Sequence, residues 1–125
     1  MVLLLNFGHP LGQDNREKII QICDDEIEEK YISSQHDQTK PVLEVARELV
    51  NAAGLSARDW KNASIVLIPP GLPQIAMAIL AEIHGRHGGF PKIVNIRPTQ
   101  TKPTRYDVAE IVDLQKLRNE ARTQS

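Results

Sequence analysis

The sequence has little cysteine, few aromatic residues and no large excess of charge of either sign. Cys23 is its only cysteine, so the chain cannot form an intrachain disulfide or a cysteine-based metal cluster. Aromatic residues make up 4%, too few for the stacking platforms of single-strand-binding proteins. The net charge of −1 argues against a protein that coats long DNA or RNA, because such proteins carry a strong basic excess.

Long hydrophobic runs are missing as well. The apolar residues 1–7 are too few to span a membrane, and no basic flank precedes them as in a signal peptide. A single cysteine is typical of a reducing compartment. We therefore expect a cytoplasmic protein that does not associate with membranes.

The composition that remains is that of one globular domain. The 125 residues have a mass of 14.0 kDa, and 41% of them are hydrophobic and 25% charged. These are ordinary values for a folded chain of this size, which buries enough surface for one core. We expect a single domain over residues 1–125.

Apolar runs that suit strands alternate with stretches of helical periodicity. The predicted strands cover residues 2–7, 27–34, 64–68, 92–96 and 106–112. Predicted helices begin at Asp14, at residues 39–41, at Pro73 and at Leu114, and Asp14 with Glu17 resembles a capping box. The helix from Pro73 is apolar nearly all round at residues 75–80. This pattern favours burial on several sides or against a second copy, and predicts a homodimer.

The alternation predicts an α/β fold, namely a small Rossmann-like domain with a mostly parallel sheet of about five strands and helices on both faces. In such sheets, ligands bind beyond the carboxyl ends of the strands, near the point where the strand order reverses. We expect that point between the first and third strands. The loops that follow the strands therefore form the candidate binding site, with Gly8 and Gly71 in one crevice.

The loop after the first strand offers Asn6, Gly8, His9 and Pro10. Gly8 allows a ligand to approach backbone N–H groups, and the next helix directs the positive end of its dipole there. Asn6, at the end of a buried strand, requires a hydrogen-bond partner. The spacing fits neither the dinucleotide fingerprint nor the Walker A loop. A plain turn with a solvated His9 remains the alternative.

The loops after the second and third strands add three candidates. His36 follows the second strand, and Pro70 and Gly71 follow the third. A rigid proline turn beside a helix N-terminus suits a nucleobase and its phosphate, and Gly71 offers backbone donors. The alternative is that the prolines only shape the turn.

A basic segment at residues 90–106 contains four cations and no carboxylate. We predict a loop at residues 97–105, in which Arg97 directly follows the fourth strand and faces the crevice. Thr99 and Arg105 are further candidates for ligand binding. The alternative is a solvated basic loop that balances the acidic residues near position 25.

The sequence contains no strong catalytic or metal-binding pattern. His84 and His87 lack nearby Asp, Glu or Cys residues in a matching ligand set, so we expect no metal. No serine nucleophile motif accompanies His9 or His36, and Cys23 lies on the apolar face of a helix, as a core residue would. We expect no cofactor.

Three blocks of the sequence resemble a small stand-alone ancillary family of type III CRISPR systems, the fifteenth of the Csx series. They are residues 3–11 (Leu-Leu-Leu-Asn-Phe-Gly-His-Pro-Leu), 68–72 (Ile-Pro-Pro-Gly-Leu) and 108–114 (Val-Ala-Glu-Ile-Val-Asp-Leu). That family is similar to CRISPR-associated Rossmann-fold domains that sense cyclic oligoadenylate, but it lacks an effector domain. The resemblance implies a homodimer that binds cyclic tetra-adenylate and sequesters this second messenger.

Two other functions remain open on the residues alone. A ring nuclease would cut the messenger by attack of a ribose 2′-hydroxyl on the adjacent phosphate, a reaction that needs few acid–base groups. His9, His36 and Arg97 would be its candidates. A binder of a small nucleotide unrelated to defence is the third possibility.

Overall fold

The structure, a computed structural model, describes residues 1–124 and contains five strands and five helices in that range. The strands are β1 (Val2–Asn6), β2 (Ile27–Tyr31), β3 (Ser64–Ile68), β4 (Lys92–Thr101) and β5 (Thr104–Asp113). The helices are α1 (Gln13–Cys23), α2 (Val42–Asn51), α3 (Ala57–Asn62), α4 (Pro73–His87) and α5 (Leu114–Gln124). Among the described helices, none is long and apolar enough to cross a membrane.

The strands form one sheet in the order β2-β1-β3-β4-β5. The first four strands are parallel, and β5 runs antiparallel to β4. Because β1 lies between β2 and β3, the strand order reverses there, where the sequence predicts it. The predicted α/β fold is confirmed, and the molecule is a small Rossmann-like domain.

The core consists of two layers, one on each face of the sheet. Leu3, Leu5 and Phe7 pack with α2, α3 and α4 on one face. Val2 and Leu4 pack with Ile19 of α1 and with β5 on the other face. Helices therefore cover both faces, which explains why β1 is an unbroken apolar run and does not alternate.

The helix starts differ from the prediction in two places. The capping box predicted at Asp14 and Glu17 is wrong, because α1 already begins at Gln13, with Gly12 at its N-cap and no side-chain cap. A true capping box lies at Ser56, whose hydroxyl accepts from the Asp59 N–H at 3.1 Å. It begins the short helix α3, which the sequence analysis missed because six residues are too few to show a periodicity.

The predicted loop at residues 97–105 is wrong, because β4 and β5 form a long antiparallel hairpin that turns at residues 101–104. Irregularities in the pairing after Asn95 and after Pro98 accommodate the proline, which cannot donate to the strand ladder. The β-branched Thr99, Thr101 and Thr104 favour extended backbone. Arg97 thus lies within β4, not after it. β2 is also shorter than predicted and ends at Tyr31.

Helix α4 begins at Pro73, as predicted, and ends at His87, with Gly88 as its C-cap. Gly88 has a φ of +87°, a conformation that glycine adopts without strain. Ile75, Ile79 and Ile83 are buried, whereas 69% of Met77 is exposed. The helix therefore buries one face in this chain, and its outer apolar face is open in the monomer.

Candidate functional site

A cavity of about 1130 Å³ lies at the carboxyl ends of β1, β3 and β4. Residues 8–12 after β1, 33–36 after β2 and 68–72 at the end of β3 form most of its wall. Residues 94–96 of β4 and Tyr106 of β5 complete the far side. The cavity therefore occupies the position where ligands bind in open α/β sheets.

The N-termini of two helices lie beside this cavity. α1 begins at Gln13, directly after the wall residue Gly12, and α4 begins at Pro73, directly after the wall residue Leu72. Neither helix has a side chain that caps its first turn. Two helix dipoles therefore make this edge of the sheet favourable for negative charge.

The side chain of Asn6 is completely buried and supports the loop of His9 from behind. Its amide nitrogen donates to the carbonyl of His9 at 2.9 Å and to Oε2 of Glu29 at 3.1 Å. Its amide oxygen accepts from the N–H of Gly8 at 2.9 Å. The predicted partner of Asn6 is thus the protein itself, and Asn6 does not line the cavity.

Glu29 links this loop to a second strand and to a helix. Its other carboxylate oxygen accepts from Arg16 of α1 at 2.6 Å. The carboxylate is 13% exposed and satisfied on both oxygens. The sequence analysis missed Glu29 because it lies in an acidic run that suits a solvated edge. What distinguishes Glu29 from the neighbouring acidic residues is its position in β2, opposite Leu4 of β1.

Gly8 allows the first and third loops to approach each other. A Cβ at this position would lie 3.1 Å from Cγ2 of Ile68 and 3.3 Å from the carbonyl oxygen of Pro69. Gly71 differs, because its missing side chain would meet nothing within 4 Å. Gly8 is therefore needed for packing, whereas a side chain at Gly71 would begin in open space at the cavity wall.

Both predicted histidines of the crevice, His9 and His36, line the cavity. Nδ1 of His36 lies 2.7 Å from the carbonyl oxygen of Ser34. Since a carbonyl only accepts, Nδ1 carries the hydrogen, and Nε2 of the neutral ring is then an acceptor. His9 is held through its backbone by Asn6, and its side chain is exposed.

No Asp, Glu, Lys or Arg occurs among the described residues that line the cavity. The three basic-segment candidates lie outside it, on the hairpin. Arg97 is 3.6 Å from Glu110, and Arg105 pairs with Asp14 at 3.2 Å and with Asp107 at 3.1 Å. The Thr99 hydroxyl donates to Asp107. This hydrogen bond and Arg105 lower the pKa of the Asp107 carboxyl.

The structure thus brings together six of the predicted site residues, and four lie elsewhere. Lining the cavity are Gly8, His9, Pro10, His36, Pro70 and Gly71. Behind its wall or on the hairpin are Asn6, Arg97, Thr99 and Arg105. Cys23 is half-buried against the α1 side of the core, and burial raises the pKa of its thiol.

Two aromatic residues at the site were missed by the sequence analysis. Tyr31 at the end of β2 and Tyr106 near the start of β5 both line the cavity. Asn15 of α1 donates to the carbonyl of Tyr106 at 3.0 Å and accepts from the N–H of Val108 at 2.9 Å. This pair of hydrogen bonds fixes the backbone on either side of residue 107.

The fold and site define a small Rossmann-like protein with a ligand-sized cavity at the carboxyl edge of its sheet. Within residues 1–124, no three His, Cys, Asp or Glu side chains gather in a way that would hold a metal ion. Comparisons of the chain with protein-family models, with curated proteins and with solved structures find no significant match.

Proposed function

We propose that this protein binds cyclic tetra-adenylate in the cavity at the carboxyl edge of its sheet and sequesters the messenger without cutting it. The observation that carries the proposal is the cavity itself. Its volume of about 1130 Å³ exceeds the usual range for small-molecule sites, which is roughly 300–1,000 Å³. Such a volume favours a ligand larger than a single nucleotide. Two segments of its wall, residues 8–11 and 68–72, also belong to two of the sequence blocks that resemble the ancillary CRISPR family.

The chemistry of the walls supports a nucleotide ligand. Pro69 and Pro70 offer a rigid apolar surface to a base, and Gly71 leaves space beside it. The two helix N-termini and the glycine-containing turns offer partial positive charge to phosphates. The arginines of the hairpin lie near this edge and attract a polyanion from outside, in a salt-dependent way.

The same walls favour binding over chemistry. Acid–base catalysis requires a group within hydrogen-bond reach of the reacting atom, with a pKa suited to the task. The described lining offers two histidines and neither a carboxylate nor an amine to tune or orient them. Retention of intact ligand is therefore the expected result.

One observation favours cleavage as the second candidate function. His36 is oriented by the carbonyl of Ser34, so that its Nε2 is available as a base. In a ring nuclease, Nε2 would take the proton of a ribose 2′-hydroxyl while the 2′-oxygen attacks the adjacent phosphorus. The bond from phosphorus to the 5′-oxygen would break, and this oxygen would take a proton from water or His9. The products would be a 2′,3′-cyclic phosphate and a 5′-hydroxyl.

Incubation with radiolabelled cyclic tetra-adenylate, followed by native and denaturing separation, tests both candidates. We expect labelled ligand to migrate with the protein and to remain intact afterwards. If linear fragments form, the protein is a ring nuclease and does not sequester the messenger. Loss of these fragments in His36→Ala would then identify His36 as the base. If no label migrates with the protein and no fragments form, the proposal is wrong.

A matched pair of variants tests the location. Gly71→Trp fills the open space beside Pro70 without a packing clash and should abolish binding, because its side chain would occupy the cavity. Gly71→Ala at the same position adds one methyl group and should bind like the wild type. Equal affinities of both variants would mean that the ligand binds elsewhere.

A further inference from the structure

The chain has five aromatic residues, and their exposure separates them into two groups. Phe7 and Trp60 are buried, and Phe90 is half-buried. Tyr31 and Tyr106 are 50% and 59% exposed, although tyrosine rings normally bury much of their surface in a core. Both exposed rings belong to residues of the same cavity wall. The two exposed aromatic residues therefore both lie at the candidate site.

The two tyrosines lie on opposite flanks of the cavity. Tyr31 ends β2, the strand at one edge of the sheet, and Tyr106 lies on β5, the strand at the other edge. Three strands, β1, β3 and β4, lie between them, at spacings of about 4.8 Å between neighbouring strands. A single planar ring does not reach across three intervening strands, so a ligand that stacks on both tyrosines carries at least two rings.

Both tyrosines are held by backbone hydrogen bonds that do not involve their rings. Tyr31 is paired with Asn6 in the register of β1, and the next residue, Ile32, donates to the Asn6 carbonyl at 2.9 Å. Tyr106 is opposite Pro98 in the hairpin and is fixed by the side chain of Asn15. With the backbone fixed, stacking of a ligand has to order only the two χ angles of each ring.

Stacking also suits the electrical character of the cavity. The described walls contain no lysine or arginine, so the ligand's phosphates are best placed at the rim of the cavity, where the uncapped N-termini of α1 and α4 lie. Its bases would then face the apolar interior. Base–aromatic stacking does not require charge, because every base has a π face.

We infer that Tyr31 and Tyr106 are base-stacking residues on the two flanks of the cavity, and that the ligand is an oligonucleotide with at least two bases. This inference rests on the proposed function, because it takes the cavity as the binding site of a nucleotide. It assigns specificity to the aromatic flanks, which discriminate an oligoadenylate from a mononucleotide. The mononucleotide reaches one flank only.

Calorimetric titration of Tyr31→Ala and Tyr106→Ala with cyclic tetra-adenylate and with adenosine monophosphate tests it. Each variant should bind the cyclic ligand roughly 5- to 150-fold more weakly than the wild type. Tyr31→Phe and Tyr106→Phe keep the ring and should bind within about 2-fold of the wild type. Adenosine monophosphate has a single base, so at most one of the two alanine substitutions should weaken its binding.

The outcomes separate this inference from the proposed function. If the wild type binds the cyclic ligand and both alanine variants bind equally well, the inference is wrong and the proposed function stands. If the wild type binds neither adenylate, both are wrong. Thermal unfolding serves as the folding control, because both rings are exposed and their truncation should leave the midpoint unchanged. Alanine variants that lose self-association together with binding would make the tyrosines a subunit contact, which also overturns the inference.

Discussion

Asn6 serves the candidate site from behind the cavity wall. All three of its hydrogen bonds are made to the protein, and they connect β1, β2 and the loop of His9. A buried amide with its donors and acceptor satisfied stabilises one loop conformation, whereas a buried unsatisfied group costs free energy. The shape of the loop that carries Gly8 and His9 therefore depends on a residue that the ligand does not touch.

Replacing Asn6 by alanine should lower the free energy of unfolding by about 2–4 kcal/mol, because it removes a partner from the half-buried Glu29 carboxylate and from the Gly8 N–H and leaves a gap at a fully buried position. Urea unfolding of Asn6→Ala against the wild type measures this. Asn62→Ala, at an exposed helix end, is the matched control and should change stability by less than about 0.5 kcal/mol. A loss for Asn6→Ala as small as that of the control would contradict the assigned role.

For individual residues, the sequence predicted which loop residues line the cavity better than it predicted which side chains contact each other. Gly8, Pro70 and Gly71 were found because glycine and proline directly after a buried strand indicate a turn at the carboxyl edge of the sheet. Tyr31 and Tyr106 were not found, because their place in the cavity depends on the order of all five strands. Glu29 was missed for the same reason, since its partner Asn6 belongs to another strand.

Among the elements, α2 and α4 are joined by a carboxylate between two arginines. Glu82 of α4 accepts from Arg86 at 3.0 Å and from Arg47 of α2 at 3.2 Å. The hydrogen bond from Arg86 is the main cause that holds the pKa of the Glu82 carboxyl below its ordinary value; burial opposes it, and the hydrogen bond from Arg47 lowers the pKa further. α4 begins beside Leu72 in the cavity wall, so this contact also fixes the direction of that helix.

Glu82→Gln should reduce stability near neutral pH by about 0.5–1 kcal/mol, because an amide keeps the shape but not the charge. The pKa of Glu82 is lowered on folding, so its contribution is fully present above the unfolded pKa of about 4.3 and disappears as the pH falls through the folded value. Urea unfolding at several pH values should therefore show the gap to the wild type closing below about pH 4. A gap that stays constant down to pH 3 would show that the charge contributes nothing.

Element boundaries were predictable where one residue type determines them. Pro73 marked the start of α4, because proline suits the first turn of a helix. The β4–β5 hairpin was not predictable, because Pro98 and the basic residues around it are typical of a loop. There, long-range antiparallel pairing overrides local preference.

Across the whole molecule, charge and binding surface are kept apart. The chain carries a net charge of −1, the described cavity walls contain no Asp, Glu, Lys or Arg, and the two arginines of the hairpin are paired with carboxylates. A cyclic tetra-adenylate has four phosphates and rotational symmetry. A ligand of this symmetry can be shared by two copies of one site related by a two-fold axis.

The alternation of strands and helices sufficed to predict the fold, but it gives no information about how copies associate.

We predict a homodimer in solution. The physical reason is the apolar surface that α2 and α4 leave exposed, where Leu43 is 65% and Met77 69% exposed. Burying such side chains against a second copy is favourable, at about 25 cal/mol for each Å² of apolar surface removed from water. In a two-fold symmetric dimer, the same surface of both copies takes part, so each of these residues contributes buried area from both copies.

Sedimentation at micromolar concentration measures the assembly directly. The wild type should sediment with twice the chain mass of 14.0 kDa, with or without cyclic tetra-adenylate. Met77→Lys places a charge on the outer face of α4 without touching the core, so it should sediment as a folded monomer. Leu117→Lys on α5 introduces the same charge at a side chain that is 58% exposed, and it should remain a dimer. A wild type that stays monomeric with ligand present would contradict the prediction, and a Met77→Lys dimer would move the contact to another face.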